Sequence, residues 1–216
     1  MSISIGAIDY LNAIPLVRYL STQLPDAHID YALPNALASG LRSRKYDIAL
    51  VPQVECTRDP EYRILPEYCI ACSGAVESIL LFSHKKLSDI RRVAVDESSN
   101  SSVALLKVLF HRITGSIPSF VAKPPVLLEL IEDKLLHETD FDAQLLIGDA
   151  ALQEARTAMP RWDLGELWWQ QTQLPFVFAL WVGRQGIASQ DLQRILSSAE
   201  QGLDHRQQLA LDFIKE

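Results

Sequence analysis

The sequence has no feature of a membrane-spanning or secreted protein and no excess of basic residues. No apolar run reaches the roughly 18 residues that a membrane helix needs, and the N-terminal residues do not resemble a signal peptide. The formal net charge of −7 argues against a nucleic-acid-binding surface. It does not exclude an anionic small molecule, because a local site can oppose the global charge. We therefore expect a cytoplasmic protein without a nucleic-acid or membrane partner.

Cysteine and histidine do not occur in the patterns that metal and redox sites require. The chain has three cysteines, of which Cys69 and Cys72 form a C-x-x-C pair inside an apolar stretch without a second ligand pair. We interpret them as small core residues. There is no H-x-x-x-H pair, no G-x-G-x-x-G and no G-x-x-x-x-G-K-[ST] motif. We therefore expect the protein to need neither a metal nor a cofactor.

The sequence does contain alternating strand and helix patterns, and its 216 residues are enough for a sizeable core. The elements predicted in the first part are strands over 3–8, 28–33 and 47–52, a helix over 12–23 with Pro15 in its first turn, and a helix over 35–44 capped by Asn35. The strand over 47–52 is apolar on both faces, which is typical of a buried parallel strand. The repeated β-α-β pattern predicts a mainly parallel sheet.

A second alternation of strands and helices follows. The predicted elements are strands over 69–73, 76–83, 93–96, 119–123 and 143–147, helices over 101–114 and 127–136, a strand over 176–182, and a long helix capped by Ser189. The apolar strand over 176–182 can return the chain to the first unit. This pattern predicts two α/β lobes, 1–83 with 178–216 and 84–177, and a cleft between them. The alternative is one continuous doubly wound sheet.

Polar residues follow the first predicted strand. Asp9, Tyr10 and Asn12 lie at its carboxyl end, which is where ligands usually bind in an α/β sheet. The Asn12 amide can both donate and accept a hydrogen bond, so it can hold a ligand hydroxyl or cap the helix that follows. Position alone favours neither role.

Five segments, in order, resemble one enzyme family. They are Y-L-N-A-I-P-L at 10–16, Y-D-I-A-L-V-P at 46–52, S-G-A-V-E-S-I-L-L-F-S at 73–83, V-A-V-D at 93–96 with the serine-rich run after it, and L-L-I-G-D-A-A-L at 145–152 with W-D-L-G-E and L-P-F-V-F-A downstream. This series resembles the chorismate dehydratases of menaquinone biosynthesis by the futalosine pathway. The resemblance extends over most of the chain.

The resemblance implies both a fold and a reaction. The family has the fold of type II periplasmic-binding proteins, with two α/β lobes and an inter-lobe cleft, which is the architecture that the pattern also predicts. It implies that chorismate loses water to give 3-[(1-carboxyvinyl)oxy]benzoate without a cofactor. One position differs, because an arginine of the family's S-R-T-S block is Asn100 here.

The resemblance also implies the site residues. Asn12 and Ser78 are the expected catalytic residues, with Ser78 in the middle of the predicted strand over 76–83. The expected substrate-binding residues are Tyr10, Ser73, Gly74, Asn100, Ser101, Ser102, Gly148 and Asp149. Capping is the alternative role for Ser101 and Ser102, and for Asp149 helix capping is the favoured interpretation.

Two other functions remain open. One is a non-catalytic binding protein of the same fold for an aromatic carboxylate, suggested by the absent arginine and by an end at Glu216 where relatives usually continue. The other is the related 1,4-dihydroxy-6-naphthoate synthase, although the Y-L-N and serine-rich blocks fit the dehydratase better.

Overall fold

The computed structural model describes residues 2–95, 100–123 and 141–213, without the side chain of Asn100. The chain forms two compact units: unit 1 comprises residues 1–70 and 177–216, and unit 2 comprises residues 71–176. The first boundary therefore lies before the predicted one at residue 83, because the strand that begins at Ile79 pairs within the sheet of unit 2. The return to unit 1 falls at 177 instead of the predicted 178.

Unit 1 is built on a five-stranded mixed sheet with the order β2-β1-β3-β10-β4. Its strands are β1 (Ser4–Ala7), β2 (His28–Tyr31), β3 (Ile48–Pro52), β4 (Arg63–Cys72) and β10 (Phe176–Gly183). β1 runs parallel to β2 and β3, and β10 runs antiparallel to β3. Every residue of β3 is buried, as its apolar run predicted.

The helices of unit 1 begin at other residues than the sequence predicted. They are α1 (Ile14–Val17), α2 (Leu20–Gln23), α3 (Pro34–Arg42), α7 (Ser189–Asp204) and α8 (Arg206–Phe213), with a 3-10 turn at Gln53–Thr57. The predicted helix over 12–23 is thus two short helices. α3 begins at Pro34, whose fixed φ suits a first helical position, so the predicted cap Asn35 lies inside the helix. The cap position before α7 is Ala188, so the prediction of Ser189 as a cap was also wrong.

Unit 2 has its own five-stranded sheet with the order β7-β6-β8-β5-β9. Its strands are β5 (Ile79–Phe82), β6 (Arg92–Val95), β7 (Ser119–Ala122), β8 (Ala143–Ile147) and β9 (Arg161–Asp163). Its helices are α4 (Asn100–Thr114), α5 (Gly148–Glu154) and α6 (Leu164–Thr172), with a 3-10 turn at Leu87–Asp89. The predicted helix over 127–136 and the last residue of the strand over 93–96 lie outside the described residues. β9 and α6 were not predicted.

Tyr46 connects α3 to the sheet of unit 1. Its ring is only 2% exposed and lies against Gly6 of β1 and Gly40 of α3, where a Cβ at either position would come too close to the ring. Its hydroxyl donates a hydrogen bond to Oδ2 of Asp30 at 2.6 Å. The tyrosine that opens the segment at 46–52 therefore joins β1, β2 and α3.

No helix in the described ranges is long and apolar enough to cross a membrane.

Helix α7 packs so closely on α1 that only glycine fits at one position. A Cβ on Gly202 would overlap the carbonyl group of Pro15. Because α1 directly follows the turn that contains Asn12, this contact helps to fix the position of that turn.

We predict that Gly202→Ala destabilises the protein by about 1–3 kcal/mol, because an added methyl group displaces the Pro15 backbone. Without that contact, alanine would stabilise a helix by up to about 1 kcal/mol relative to glycine. Denaturant unfolding measures the difference. Ser197→Ala, at an exposed position of the same helix, is the control and should stay within about 0.5 kcal/mol of the wild type. A Gly202→Ala variant as stable as the wild type would contradict the close contact.

Candidate functional site

In unit 1 the candidate residues lie in the turn between β1 and α1. The Tyr10 carbonyl accepts hydrogen bonds from the amides of Ala13 and Ile14 at 2.8 and 3.0 Å. The N-cap of α1 is Ala13, so the capping role for Asn12 is wrong. The Asn12 side chain is exposed and forms no hydrogen bond within the described part of the chain. Its carboxamide is therefore available to a ligand.

Exposed aromatic side chains lie on the same side of unit 1. Tyr10 follows β1, and Tyr31 is the last residue of β2, which runs parallel to β1. The two tyrosines are 44% and 47% exposed. Burial and the carboxylate of Asp9 raise the pKa of the Tyr31 phenol, so this hydroxyl stays protonated at neutral pH. This edge of the sheet combines an unengaged amide with aromatic surface, which suits an unsaturated ring that carries hydroxyl groups.

In unit 2 the candidate residues Ser73, Gly74 and Ser78 lie in the segment that joins β4 to β5. Gly74 and Glu77 both have left-handed backbones, with φ of 95° and 63°. β5 begins at Ile79, so the prediction of Ser78 in mid-strand was wrong, because the left-handed residue before it interrupts the extended chain. The Ser78 hydroxyl is half-buried, and within the described residues it makes one contact, a long one of 3.4 Å to the Val76 carbonyl.

The sheet of unit 2 places several candidates at one edge. β6 and β8 are parallel and β5 is antiparallel to β8, so the ends of β6 and β8 lie at the same edge as the start of β5. There the Gly148 amide donates to the Ser78 carbonyl at 2.8 Å. Ser101 and Ser102 are both buried in the first turn of α4, which follows β6. Ser78 is thus hydrogen-bonded to Gly148, and α4 begins after β6, the strand next to β8.

Three helices begin after strands at this edge, and their first turns differ in charge. α5 carries Asp149 and α6 carries Glu166 in the first turn, whereas the first turn of α4 has no acidic residue. Backbone amides at a helix start attract anions, and a carboxylate in the same turn opposes that. The start of α4 is therefore the better position for a ligand carboxylate.

Asp149 does not cap α5. The N-cap residue is Ile147, no side chain bonds to the cap, and Asp149 is exposed in the first turn. Helix capping, which the sequence favoured for Asp149, was therefore wrong, because Gly148 with φ of 59° turns the chain into the helix one residue earlier. Ser73 is exposed as well.

Asp163 is the residue of this edge that sequence analysis missed. Its carboxylate accepts hydrogen bonds from the backbone amides of Val76, Glu77 and Glu166. The D-x-x-E spacing of Asp163 and Glu166 resembles a capping box and was the available signal for the helix start. The bonds to Val76 and Glu77 had no signal, because those residues lie far away in the chain.

The C-x-x-C pair is not arranged as a redox or metal site. Cys69 and Cys72 are three positions apart on β4, so their side chains point to opposite faces of the strand. Cys69 is exposed and Cys72 is half-buried, so the interpretation as core residues was wrong for Cys69. Partial desolvation raises the pKa of both thiols, and the Asp163 carboxylate raises that of Cys72 further. Among residues 2–95, 100–123 and 141–213, no group of three or more His, Cys, Asp or Glu side chains is arranged to hold a metal ion.

Comparisons with known proteins agree with the motif resemblance. A family described as menaquinone biosynthesis matches residues 3–216. The chorismate dehydratase of Thermus thermophilus is 31% identical over 199 residues, which cover 84% of this chain and 69% of the relative. The chorismate dehydratase of Campylobacter jejuni is 30% identical over 181 residues, which cover 81% of this chain and 64% of the relative. The chain thus spans about two thirds of the length of these relatives.

Solved structures match the fold at low sequence identity. A protein of Archaeoglobus fulgidus matches with a TM-score of 0.72 at 17% identity, and the alignment covers 98% of this chain and 80% of that protein. The ligand-binding core of GluR0 with L-glutamate has a TM-score of 0.56 at 9% identity, with coverages of 98% and 97%. The effector-binding domain of QuiR with shikimate has a TM-score of 0.53 at 16% identity, with coverages of 95% and 98%. The predicted two-lobed fold class is confirmed.

We predict that Cys69 and Cys72 remain free thiols after mild air oxidation. Their raised pKa values leave less thiolate at pH 7 than in a free cysteine, so alkylation should be slow and should accelerate as the pH rises. Mass spectrometry of the unreduced, alkylated protein reads both properties, with a cysteine-containing peptide as control. A Cys69–Cys72 disulfide in the unreduced protein would contradict the arrangement on opposite faces.

Proposed function

The chain belongs to the menaquinone-biosynthesis family, and from this membership we propose that it is the chorismate dehydratase of the futalosine pathway. It converts chorismate into 3-[(1-carboxyvinyl)oxy]benzoate and water. The observation that carries the proposal is the 31% identity to the Thermus thermophilus chorismate dehydratase over 84% of this chain. The cytoplasmic location expected from the sequence stays a prediction.

The reaction makes modest demands on the protein. The bond between carbon 4 of the ring and its hydroxyl oxygen breaks, the proton on carbon 3 leaves, and the electrons of that C–H bond complete an aromatic ring. One water molecule is released. Because aromatisation supplies much of the driving force, the protein has mainly to bind two carboxylates, orient the ring and assist the departing hydroxyl group.

We assign Asn12 to the departing hydroxyl group. Its carboxamide can donate a hydrogen bond to the oxygen as the carbon–oxygen bond lengthens. Its exposure, the absence of a bond to any described residue and the neighbouring aromatic surface of Tyr10 support this role. The turn that carries it is held by the Tyr10 carbonyl and by the packing of Gly202 against Pro15.

Unit 2 carries its own set of proposed substrate contacts. Ser78 has a weakly engaged hydroxyl and is the second proposed catalytic residue. The start of α4, with Ser101 and Ser102, takes the place of the absent arginine in binding a substrate carboxylate. Backbone amides at a helix start favour anions, and the first turn of α4 has no acidic residue. The further proposed substrate contacts are Ser73, Gly74, Asn100, Gly148 and Asp149.

Incubation of the protein with chorismate tests the function directly. Mass spectrometry should show a product that is lighter than chorismate by one water molecule, and absorbance should show that its ring is aromatic. Calorimetry that detects binding of chorismate without turnover would favour the non-catalytic binding protein. Turnover of cyclic de-hypoxanthine futalosine with no effect on chorismate would favour 1,4-dihydroxy-6-naphthoate synthase.

We predict that Asn12→Ala lowers kcat for chorismate by about 10²-fold, because it removes a hydrogen bond that strengthens as the hydroxyl leaves. Steady-state kinetics measures the change. Asn35→Ala is the matched control, since Asn35 is also an exposed asparagine near a helix start in unit 1, and it should retain the wild-type kcat. An Asn12→Ala variant with unchanged kcat would remove Asn12 from the catalytic residues.

We predict that the double variant Ser101→Ala, Ser102→Ala raises KM for chorismate by roughly tenfold, because two neutral hydrogen bonds of about 0.5–1.5 kcal/mol each are lost. Initial rates over a range of chorismate concentrations give KM. Ser88→Ala, an exposed serine in a 3-10 turn of unit 2, is the control and should leave KM unchanged. A wild-type KM in the double variant would place the substrate carboxylate elsewhere.

A further inference from the structure

We propose that Asp163 is a positioning residue for the candidate site of unit 2: its carboxylate fixes the segment over 73–78 and thereby aims the Ser78 hydroxyl. The inference rests on the proposed function, because that function makes Ser78 a substrate contact. The carboxylate itself is assigned no contact with substrate.

The Asp163 carboxylate binds adjacent amides of the segment with both oxygens. Oδ2 accepts from Glu77 N at 2.7 Å and from Val76 N at 3.1 Å, and Oδ1 accepts from Val76 N at 3.0 Å. Oδ1 also accepts from Glu166 N at 3.0 Å, which caps α6. One side chain therefore joins the start of α6 to a segment that lies far away in the sequence, and charge-assisted bonds of this kind are stronger than neutral ones.

Two residues of the segment have a left-handed backbone. Its left-handed residues are Gly74 and Glu77, and a left-handed backbone strains any residue other than glycine. The Glu77 conformation persists only where neighbouring groups hold it. The Glu77 amide is also the closest partner of the carboxylate, at 2.7 Å. The strongest anchor therefore acts at the strained residue, which directly precedes Ser78.

A glycine next to Asp163 allows the two parts to approach. A Cβ on Gly165 would lie 2.5 Å from the carbonyl oxygen of Gly74, 2.7 Å from Sγ of Cys72 and 3.1 Å from the amide nitrogen of Val76. Because real Cβ atoms do not come this close to backbone atoms, the start of α6 contacts the segment through a site where only glycine fits. The aspartate and the glycine of the W-D-L-G-E motif thus serve the same contact.

A second anchor lies on the other side of Ser78. The Gly148 amide donates to the Ser78 carbonyl at 2.8 Å. Ser78 therefore stands between the bonds from Asp163 at residues 76 and 77 and the bond from Gly148. Its backbone is held at both sides, which fixes the position of its Cβ atom. Among the described residues, the hydroxyl makes only the long contact to the Val76 carbonyl and can therefore turn to a ligand.

Two substitutions of Asp163 separate the anchor from the helix cap. Asp163→Ser keeps a side-chain acceptor for the Glu166 amide, since serine is a good N-cap, but it is too short to reach Val76 and Glu77. Asp163→Asn keeps one acceptor oxygen but replaces the other with an NH₂ group, which cannot accept a hydrogen bond from the amides of Val76 and Glu77. We expect kcat for chorismate to fall by at least tenfold in Asp163→Ser and by less in Asp163→Asn, while KM changes little.

Asp142 provides the matched control at the opposite edge of the same sheet. Its carboxylate accepts from the adjacent amides of Arg91 and Arg92 at 2.7 and 2.9 Å and binds Lys85. The variants Asp142→Ser and Asp142→Asn therefore weaken a similar set of bonds without touching the segment over 73–78. Each should lower the melting temperature about as much as the same substitution at Asp163 and should retain the wild-type kcat.

Hydrogen exchange of single amides tests the anchor without substrate. In Asp163→Ser the amides of Val76 and Glu77 should exchange at least tenfold faster than in the wild type, while that of Glu166 stays protected. Unchanged exchange at Val76 and Glu77, or faster exchange with an unchanged kcat, would overturn the proposal. If the wild-type protein does not convert chorismate, the proposed function fails, and the exchange rates still decide whether Asp163 holds the segment.

Discussion

In each unit, the candidate residues are brought together by the parallel pairing of strands. In unit 1, β1 runs parallel to β3, so the turn that carries Asn12 lies at the carboxyl edge of that sheet. In unit 2, β6 runs parallel to β8, which brings the start of α4 to the same edge as Gly148. Antiparallel β5 begins there and contributes Ser78. A different strand order would scatter these polar groups, because they come from distant parts of the chain.

Close backbone contacts hold the turn and the segment that carry the candidate residues at these edges. Gly202 lets α7 lie against Pro15 behind the turn of Asn12, and Gly165 lets α6 lie against the segment that precedes Ser78. In both cases a glycine on a helix contacts backbone beside a proposed catalytic side chain: Gly202 contacts α1 directly after the turn of Asn12, and Gly165 contacts the segment before Ser78. The same physical solution therefore occurs in both units, although Asp163 adds hydrogen bonds only in unit 2.

Strands that are apolar on both faces were predictable from sequence. Their carboxyl ends indicated which edge of each sheet to search for polar ligand-binding residues. β3 and β10 lie within one residue of their predicted bounds, because burial on both faces leaves a continuous apolar run. Helix starts were less predictable. The polar residues Asn35 and Asp149 were expected to cap their helices, but the helices begin one residue earlier, at Pro34 and Gly148. The anchoring role of Asp163 could not be predicted, because its partner amides belong to a segment in a left-handed conformation that no local pattern indicates.

The most direct test of the account follows the two atoms that leave chorismate. Chorismate labelled with deuterium at ring carbon 3 is incubated with the protein, and the product is analysed by mass spectrometry. Water elimination predicts an aromatic product that has lost both the deuterium and the hydroxyl group of carbon 4 and that keeps the carboxyvinyl ether. Unchanged chorismate, or a product that retains the deuterium, would contradict the account.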